Sequence, residues 1–392
     1  MPWELATFPS AVADLELEVE GVEVAVVRPG ERVRVTHVLD AVEPRIRRDG
    51  RAPFPREDTA GEGRTNRVEG VVVLSCLDFA AEERPLHEQE SIVDIAGPGA
   101  AYTPFGNETC VVLTFQPGEG GNEEAERFAR EVTLEVAETI ARPTLEAEPL
   151  GLETLELVEV EAGLPSVAAL MQLSDLGPLY HQFVYGTPAA EAGLPRIVDP
   201  AEVLDGAVTC GEYHWAAMRN PTVFFQRNAL IRSLYREHGK RLRFAGVVLM
   251  RGYEQSADDK QRAAEAAAGR AQELGAEGVL ITTDAGGNSH TDVMLTCRAC
   301  EEAGMRTTVV LAEETDPEST RPILTDWVPE ADSIVSTGNV EELVPEWRPE
   351  RVLGGDTLLD GTPAAATGPI PVRNYLGAAN QMGQLTLGAR SS

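Results

Sequence analysis

Short runs of alternating apolar and polar residues fill the first 150 residues. The stretches LELEVEGVEVAVV (15–27) and ERVRVTHVLD (31–40) have the period of two that is typical of half-exposed antiparallel strands. Further apolar segments follow at 68–76, 91–106 and 108–117. In NEEAERFAREVTLEVAETIA (122–141), acidic residues open an apolar stripe of helical period, which predicts a helix. The pattern predicts a strand-rich, mixed α+β domain over residues 1–150.

From about residue 165, continuous apolar runs alternate with amphipathic stretches. The apolar runs predict buried strands at 166–173, 202–210, 243–250, 276–284, 305–314 and 331–339. The amphipathic stretches predict helices at 221–239, 256–275 and 290–304. Because such alternation is typical of a parallel sheet covered on both faces, we predict an α/β fold with a doubly wound parallel-sheet domain over residues 151–350. Ligands of such sheets bind at the carboxyl ends of the strands, here 250–255, 282–290, 312–316 and 336–339.

Two segments show neither pattern. Residues 47–67 are polar and contain Gly and Pro, which predicts one long loop. Residues 351–392 are poor in charge and rich in Gly and Ala. They predict a C-terminal arm that packs on the body or on a partner, or that is in part disordered.

The formal net charge is −31, and Lys240 and Lys260 are the only lysines. A field of this sign repels phosphate backbones and acidic lipids, so we expect neither nucleic acid nor a membrane as a partner. The N-terminus does not resemble a secretory signal, and no apolar run reaches the roughly 18 residues that a membrane span needs. Five scattered cysteines do not suggest a disulfide framework, so we expect a cytoplasmic, reduced protein.

Nucleotide-binding and cysteine motifs give little evidence of chemistry in this sequence. The sequence has no Walker-type phosphate loop and no G-x-G-x-x-G after a strand, so no nucleotide is expected. CRAC (297–300) has the C-x-x-C spacing of redox and zinc sites. It lies inside a predicted helix without a second cysteine pair, which favours core packing of Cys297 and Cys300.

The segment DGAVTCGEYHWAAMRNPT (205–222) carries the strongest candidate chemistry. If its strand continues past Gly211, then Cys210, Glu212 and His214 alternate onto one face. Glu212 and His214 could then hold Cys210 as a thiolate, or the three side chains could bind a metal. An ordinary strand end with a buried cysteine and a solvated Glu/His pair explains the same spacing.

Seven segments in order resemble one protein family over about residues 30–360. They are GEGRTNR (61–67), SIVDIAGPGAAYTPFG (91–106), MQLSDLGPLYHQFVYG (171–186), DGAVTCGEYHWAAMRNPT (205–222), HGKRLRFAGVV (238–248), GNSHTDVMLTC (287–297) and VLGGDTL (352–358). The family is the pyruvoyl-forming subunit precursor of component B of glycine, sarcosine and betaine reductases, with the D-proline reductase proprotein as a relative.

The resemblance implies a reductive deamination system. In this family the precursor cleaves itself before a cysteine, which becomes a pyruvoyl group that binds the substrate amine and weakens its C–N bond. A cysteine or selenocysteine of a partner subunit attacks the carbon. We therefore expect a hetero-oligomer that acts on a small amino acid or N-methylated amine.

This sequence departs from the family pattern at the reacting position. Where the family has its cysteine, this chain has Tyr213, which has no leaving group on Cβ and cannot become pyruvoyl. Two interpretations follow. Either Thr209–Cys210 is the scissile pair, or the chain stays uncleaved and uses Cys210, Glu212 and His214 for binding or for a metal. The intact chain is the favoured interpretation.

The residues expected at the site follow from the chemistry of segment 205–222 and from the family resemblance. Catalytic candidates are Cys210, Thr209, Glu212 and His214. Family position implies that Tyr102, Thr103, His181 and Tyr213 line the substrate pocket. Arg64 and Arg219 are candidates for binding a substrate carboxylate. A non-catalytic structural subunit is the competing interpretation.

Overall fold

The structure is a computed structural model. It describes residues 2–50, 54, 60–78, 90–116, 121–160, 162–174, 182–210, 216–252, 254–284, 286–315, 324, 326–366, 368–384 and 388–389.

The first ten strands belong to the amino-terminal part of the chain. They are β1 (Trp3–Pro9), β2 (Glu23–Val27), β3 (Val33–Val35), β4 (Val38–Val42), β5 (Arg45–Arg47), β6 (Gly63–Glu69), β7 (Val71–Leu77), β8 (Val93–Asp94), β9 (Thr109–Phe115) and β10 (Gly151–Leu155). The later strands are β11 (Ser166–Leu173), β12 (Gln182–Val184), β13 (Thr187–Pro188), β14 (Arg196–Val198), β15 (Val208–Cys210), β16 (Arg243–Arg251), β17 (Gly278–Thr282), β18 (Arg306–Glu313), β19 (Ile334–Asn339), β20 (Leu343–Val344), β21 (Arg351–Leu353), β22 (Ile370–Pro371) and β23 (Gly388–Ala389).

The α-helices lie between these strands. They are α1 (Gly121–Ala141), α2 (Pro200–Asp205), α3 (Thr222–Gln226), α4 (Ala229–Glu237), α5 (Ala257–Glu273) and α6 (Asn288–Glu302).

The largest sheet has seven strands in the order β14-β16-β11-β17-β18-β19-β23. Its five central strands are parallel, and the two edge strands β14 and β23 are antiparallel. In chain order the parallel strands take the positions 2-1-3-4-5, one of the two common orders of doubly wound sheets. The predicted α/β fold is thereby confirmed.

Side chains of this sheet alternate between two cores, which is why its strands are apolar throughout. On β11, Ala168 and Leu170 face a core shared with α5 and α6. Ala169 and Met171 face the opposite core, which contains residues of α3 and α4. Both faces of the sheet are therefore covered, as the continuous apolar runs predict.

The second core also contains residues of an amino-terminal sheet with the order β2-β9-β7-β4. On β7, Val72 and Leu74 belong to this core, whereas Val71 and Val73 pack in a third core with α1. Two sheets therefore enclose a common apolar layer, with helices on their outer faces.

Several local predictions are corrected. The predicted strand 202–210 is helix α2 followed by β15, because Asp199 makes a capping box with Glu202 and Pro200 suits the first helical turn. The predicted helix 221–239 is two helices, since Asn228 caps a new helix by accepting a hydrogen bond from the Ile231 N–H. The predicted loop 47–67 includes most of strand β6.

The strands within 15–27 and 31–40 form antiparallel pairs, β2 with β9, β3 with β8 and β4 with β7, as their pattern predicts, whereas other pairs of the amino-terminal part are parallel. β7 pairs with β9 in parallel, and β1 pairs with β6 in parallel. Period-two alternation shows only that one face of a strand is more exposed, and it carries no information about the direction of its neighbour.

The predicted domain limits at residues 150 and 350 stay a prediction. β10 pairs with β1, and β21 pairs in parallel with β3. In the arm, Tyr375, Leu376 and Met382 are buried, so the described part of the arm packs on the body of the protein. In the parts of the chain that the structure describes, no helix combines the length and apolarity of a membrane span.

Candidate functional site

Cys210 is the last residue of β15 and is 2% exposed. β15 runs antiparallel to β12, where Gln182 lies opposite Cys210. The Gln182 Oε1 atom accepts a hydrogen bond from the Ser174 N–H at 3.0 Å, and the Gln182 N–H donates to the Ser174 carbonyl at 3.1 Å. Because Ser174 directly follows β11, these contacts place Cys210 beside the carboxyl end of that strand.

A buried carboxyl group reaches the Cys210 backbone through one hydroxyl. The Cys210 N–H donates to Thr222 Oγ1 at 2.8 Å, and the Thr222 hydroxyl donates to Asp40 Oδ2 at 2.6 Å. The Thr222 N–H donates to Asp40 Oδ1 at 2.8 Å. Burial raises the pKa of Asp40 to about 7, although the bonds from Thr222 and the charge of Arg219 lower it. Asp40 can therefore exchange a proton near neutral pH.

A second buried carboxyl group, Asp284, lies two residues beyond the end of β17. Its Oδ1 atom accepts a hydrogen bond from the Asn220 N–H at 2.5 Å, and Asn220 Nδ2 donates to the Thr283 carbonyl at 3.3 Å. Burial raises the pKa of Asp284 well above its ordinary value, whereas Asn220, Arg219 and Gln182 lower it. Asp284 therefore links the end of β17 to the segment that follows Cys210.

These groups converge where the order of the parallel sheet reverses. The first parallel strand, β11, has the second, β16, on one side and the third, β17, on the other. In sheets of this order, ligands bind at the carboxyl ends of the first and third strands. The Thr283 hydroxyl bonds the Gln172 side chain and so connects those two ends. We call the residues gathered there the switch-point group: Gln182, Cys210, Asn220 and Asp284.

Arg219 is the cation that faces this group. It is 3% exposed, and its Nη2 atom donates to the Val38 carbonyl at 2.8 Å and to Ser91 Oγ at 3.3 Å. Its charge lowers the pKa of both Asp40 and Asp284. Arg219 thus ties the amino-terminal sheets to the switch-point group and partly balances two carboxyl groups.

Arg64, the other cation expected at the site, lies on β6. Its Nε atom donates to Glu4 Oε2 at 2.7 Å across the β1–β6 pair. This ion pair places the Arg64 charge in the sheet β10-β1-β6-β5, apart from the switch-point group. Its expected role in carboxylate binding stays a prediction.

The GPGAAYTPFG loop (97–106) forms two short 3-10 helices, Pro98–Tyr102 and Pro104–Asn107. The Tyr102 hydroxyl donates to Glu342 Oε1 at 3.1 Å, and its ring lies 6.2 Å from that of Tyr375. Thr103 is 4% exposed. Tyr102 therefore contacts the C-terminal arm through Tyr375.

The arm in turn contacts Ala216 and Ala217, which follow Cys210 in the segment 205–222. The Gly377 N–H donates to the Ala216 carbonyl at 2.7 Å, and the Ala379 N–H donates to the Ala217 carbonyl at 2.8 Å. Ala217, Tyr375 and Ala379 share one apolar cluster against which Tyr102 packs, so the arm connects the Tyr102 loop to the residues just before Arg219 and Asn220.

Four of the expected site residues, His181, Glu212, Tyr213 and His214, lie outside the described residues. The expected metal site at Cys210, Glu212 and His214 therefore stays a prediction. Within the described ranges, no three His, Cys, Asp or Glu side chains are arranged to hold a metal ion. Thr209 is fully buried in β15, opposite Phe183.

The remaining features that could carry chemistry lie elsewhere. Cys297 and Cys300 are buried in α6 as free thiols, and burial raises the pKa of Cys300 to about 12. Such thiols pack rather than react. A cavity of about 570 Å³ lies at the amino ends of β11 and β16 and is lined in part by Ser166 and Arg243. It occupies the edge of the sheet opposite to the one where ligands of this architecture bind.

Sequence reasoning does not predict Asp40, Thr222, Asn220 and Asp284 as site residues. Asp284 follows a predicted strand, so the rule about carboxyl ends of parallel strands could have found it. Asn220 and Thr222 lie in the segment 205–222 that the sequence singles out. Asp40 is 182 positions from Thr222 in the chain, and no local signal indicates that contact.

Comparisons with known proteins identify the family of the chain. The family model of glycine/sarcosine/betaine reductase component B subunits matches residues 8–374. The chain belongs to this family. No solved structure matches it.

Curated members of the family share about a third of the sequence. The sarcosine reductase complex component B subunit alpha of Peptoclostridium acidaminophilum is 33% identical over 342 residues, which cover 83% of this chain and 78% of the relative. The glycine reductase complex component B subunits alpha and beta of Acetoanaerobium sticklandii are 31% identical over 348 residues, covering 86% and 79%. The betaine reductase complex component B subunit alpha of Peptoclostridium acidaminophilum is 33% identical over 341 residues, covering 82% and 75%. The expected kinship is therefore confirmed.

Proposed function

We propose that the chain is the component B-type subunit of a reductase complex that cleaves the C–N bond of a small amino acid or N-methylated amine. The observation that carries the proposal is the place of Cys210. In a chain of this family, Cys210 lies beside the carboxyl end of the first parallel strand, where sheets of this order bind ligands. A partner subunit with a cysteine or selenocysteine supplies the nucleophile that attacks carbon.

Cys210 and its contacts provide the proton-handling groups of the proposed site. The Asp40 carboxyl titrates near neutral pH and bonds Thr222, whose hydroxyl accepts a hydrogen bond from the Cys210 N–H. Asp40 thus stabilises the end of β15 and can take up or release a proton there. Glu212 and His214 stay proposed members of the site through their spacing from Cys210.

The chain acts uncleaved in this proposal. The Thr209–Cys210 peptide lies within β15, with both residues in regular register with β12. The Cys210 N–H also donates to Thr222 Oγ1 at 2.8 Å, so its peptide group is held by ordinary strand and side-chain bonds. Tyr213, at the family position of the reacting cysteine, cannot form a pyruvoyl group. These features support an intact chain over a pyruvoyl group formed from Cys210.

Reconstitution tests the proposal. The purified chain is combined with its cysteine- or selenocysteine-bearing partner subunits and a dithiol reductant, and the release of ammonia from glycine, methylamine from sarcosine and trimethylamine from betaine is measured. We expect release that depends on the chain, and we expect the chain recovered from the active mixture to have the full mass of 42.2 kDa. Release that is unchanged without the chain would contradict the function, and two fragments would contradict the uncleaved state alone.

A further inference from the structure

The switch-point group contains a buried acceptor that no described residue satisfies. Asn220 is 1% exposed, and its Nδ2 atom donates to the Thr283 carbonyl at 3.3 Å, which fixes the orientation of the amide. Its Oδ1 atom has no hydrogen-bond partner in the parts of the chain that the structure describes. A buried carbonyl oxygen left without a donor is costly, so it points to a donor that a bound molecule supplies.

The Asp284 carboxyl group lies beside this acceptor. The Asn220 backbone N–H donates to Asp284 Oδ1 at 2.5 Å, so the Asp284 carboxyl group is in direct contact with Asn220. Gln182, which faces the same carboxyl group, is the strand partner of Cys210. Asp284 and Asn220 therefore present two acceptors next to the Cys210 strand, at the edge of the sheet where ligands bind.

The charges of this region are unequal. Arg219 faces both Asp40 and Asp284, so one guanidinium serves two buried carboxyl groups. When both carboxyl groups are ionised, they carry two negative charges against the single positive charge of Arg219, counted over the described residues. The protonated nitrogen of an amine carries one positive charge and an N–H donor, so it would match both the excess negative charge and the unsatisfied Asn220 Oδ1 atom.

We propose that Asp284 and Asn220 form a subsite for the cationic nitrogen of a small amine and require at least one N–H on it. The subsite rests on the proposed function and deepens it, because it selects among candidate substrates. Glycine, sarcosine and dimethylglycine each have, on their protonated nitrogen, an N–H that can donate to Asn220 Oδ1. The quaternary nitrogen of betaine has none, so betaine leaves that oxygen unsatisfied.

Proton release accompanies the binding. In the free protein the buried Asp284 carboxyl group holds a proton to higher pH than an exposed aspartate, because burial outweighs the effects of Asn220, Arg219 and Gln182. An adjacent ammonium favours the ionised carboxylate. Binding at a pH where the free Asp284 carboxyl group is still protonated therefore releases a proton into the buffer, and the Asp284→Asn variant cannot release it.

Calorimetric titration of the full chain with glycine, sarcosine, dimethylglycine and betaine tests the subsite. Titrations in phosphate and in Tris buffer report proton release, because the two buffers differ in ionisation enthalpy. We expect the three amines with an N–H to bind at least about tenfold more tightly than betaine, since a lost hydrogen bond at a buried acceptor costs about that factor. We expect Asp284→Asn to weaken amine binding at least about tenfold and to abolish the proton release.

Two further variants complete the test. Asn220→Ala removes the acceptor and should bring sarcosine and betaine to similar affinity. Asp205→Asn is the matched control, because Asp205 is a buried acid whose bonds go to Thr65 and Arg47, and it should keep wild-type binding. Thermal unfolding confirms that each variant is folded.

Three results would overturn the subsite: equal affinity for betaine and sarcosine, full affinity in Asp284→Asn, or no binding of any of the four ligands. The outcome is separate from that of the reconstitution experiment. A chain that binds amines in this pattern without supporting amine release keeps the subsite and loses the reductase function. If the reconstituted complex releases amine and Asp284→Asn leaves the rate unchanged, the reductase function is kept and the subsite is lost.

Discussion

Asp40 is the residue whose ionisation is most directly linked to the Cys210 backbone. Burial raises its pKa from an ordinary value of 3.8 to about 7, and the Thr222 hydroxyl lies between the two residues. A carboxyl group with a raised pKa in the folded state favours folding when it is protonated. The stabilisation of the folded state by protonated Asp40 is complete below about pH 4 and is lost as the pH rises through about 7.

The Asp40→Asn variant tests this link, because an asparagine mimics the protonated carboxyl group at every pH. We expect the free energy of unfolding of the wild type to fall more steeply between pH 4 and 8 than that of the variant, by at most about 4 kcal/mol for a three-unit difference in pKa. Urea unfolding of both proteins at several pH values measures this difference in the free energy of unfolding. Asp14→Asn, at an exposed position, should keep the wild-type slope, and an equal slope in Asp40→Asn would contradict the account.

At the residue scale, sequence reasoning singled out a segment but missed several of the residues that contact it. Cys210 belongs to the switch-point group and Arg219 faces it, and both come from the one segment that combines reactive side chains with a predicted strand end; their roles at a site stay predictions. Asp40 contacts that segment only in the folded protein, through Thr222. Periodicity and spacing describe neighbours in sequence, so they carry no information about a contact between two sheets.

The glycine-rich loop 97–106 shows how an element depends on close packing. Gly97 has a φ of 80°, and a Cβ atom there would lie 2.4 Å from the Trp347 ring nitrogen. Gly97 therefore needs both the left-handed backbone and the absence of a side chain. The loop carries Tyr102 and Thr103, so its position matters for the expected pocket.

Gly97→Ala should destabilise the protein clearly more than Gly361→Ala. Gly361 has a φ of 85°, but a Cβ atom there would meet no atom of a non-adjacent residue within 4 Å, so alanine costs about 1 kcal/mol of backbone strain alone. At Gly97 the clash with Trp347 adds about 1–3 kcal/mol. Urea unfolding of both variants gives the comparison, and equal losses would show that the Trp347 contact is unimportant.

At the element scale, the strands of the parallel sheet could be predicted from the sequence, whereas short elements such as α2 could not. Ser256 caps α5 at the start of the predicted helix 256–275, and the predicted strands 166–173, 243–250 and 305–314 match β11, β16 and β18 within one residue at each end. Continuous apolar strands and capped helices carry strong local signals. Short capped helices such as α2 resemble buried strands in composition, which is why the apolar pattern of residues 202–205 predicts a strand.

At the scale of the whole molecule, two sheets and a C-terminal arm enclose the candidate site. Asp40 comes from the amino-terminal sheets, Cys210 and Asp284 from the region of the parallel sheet, and Ala379 of the arm bonds Ala217. A site assembled from such distant parts of the chain depends on the complete fold. This dependence favours tests on the full chain in its complex.

Replacement of Cys210 by alanine in the reconstituted complex tests the central claim most directly. The account predicts that Cys210→Ala assembles normally and lowers the rate of amine release at least about 100-fold. Cys110→Ala, a matched change at a buried cysteine of β9, should stay within a few-fold of the wild type. Full activity of assembled Cys210→Ala would contradict the account and would identify the chain as a structural subunit.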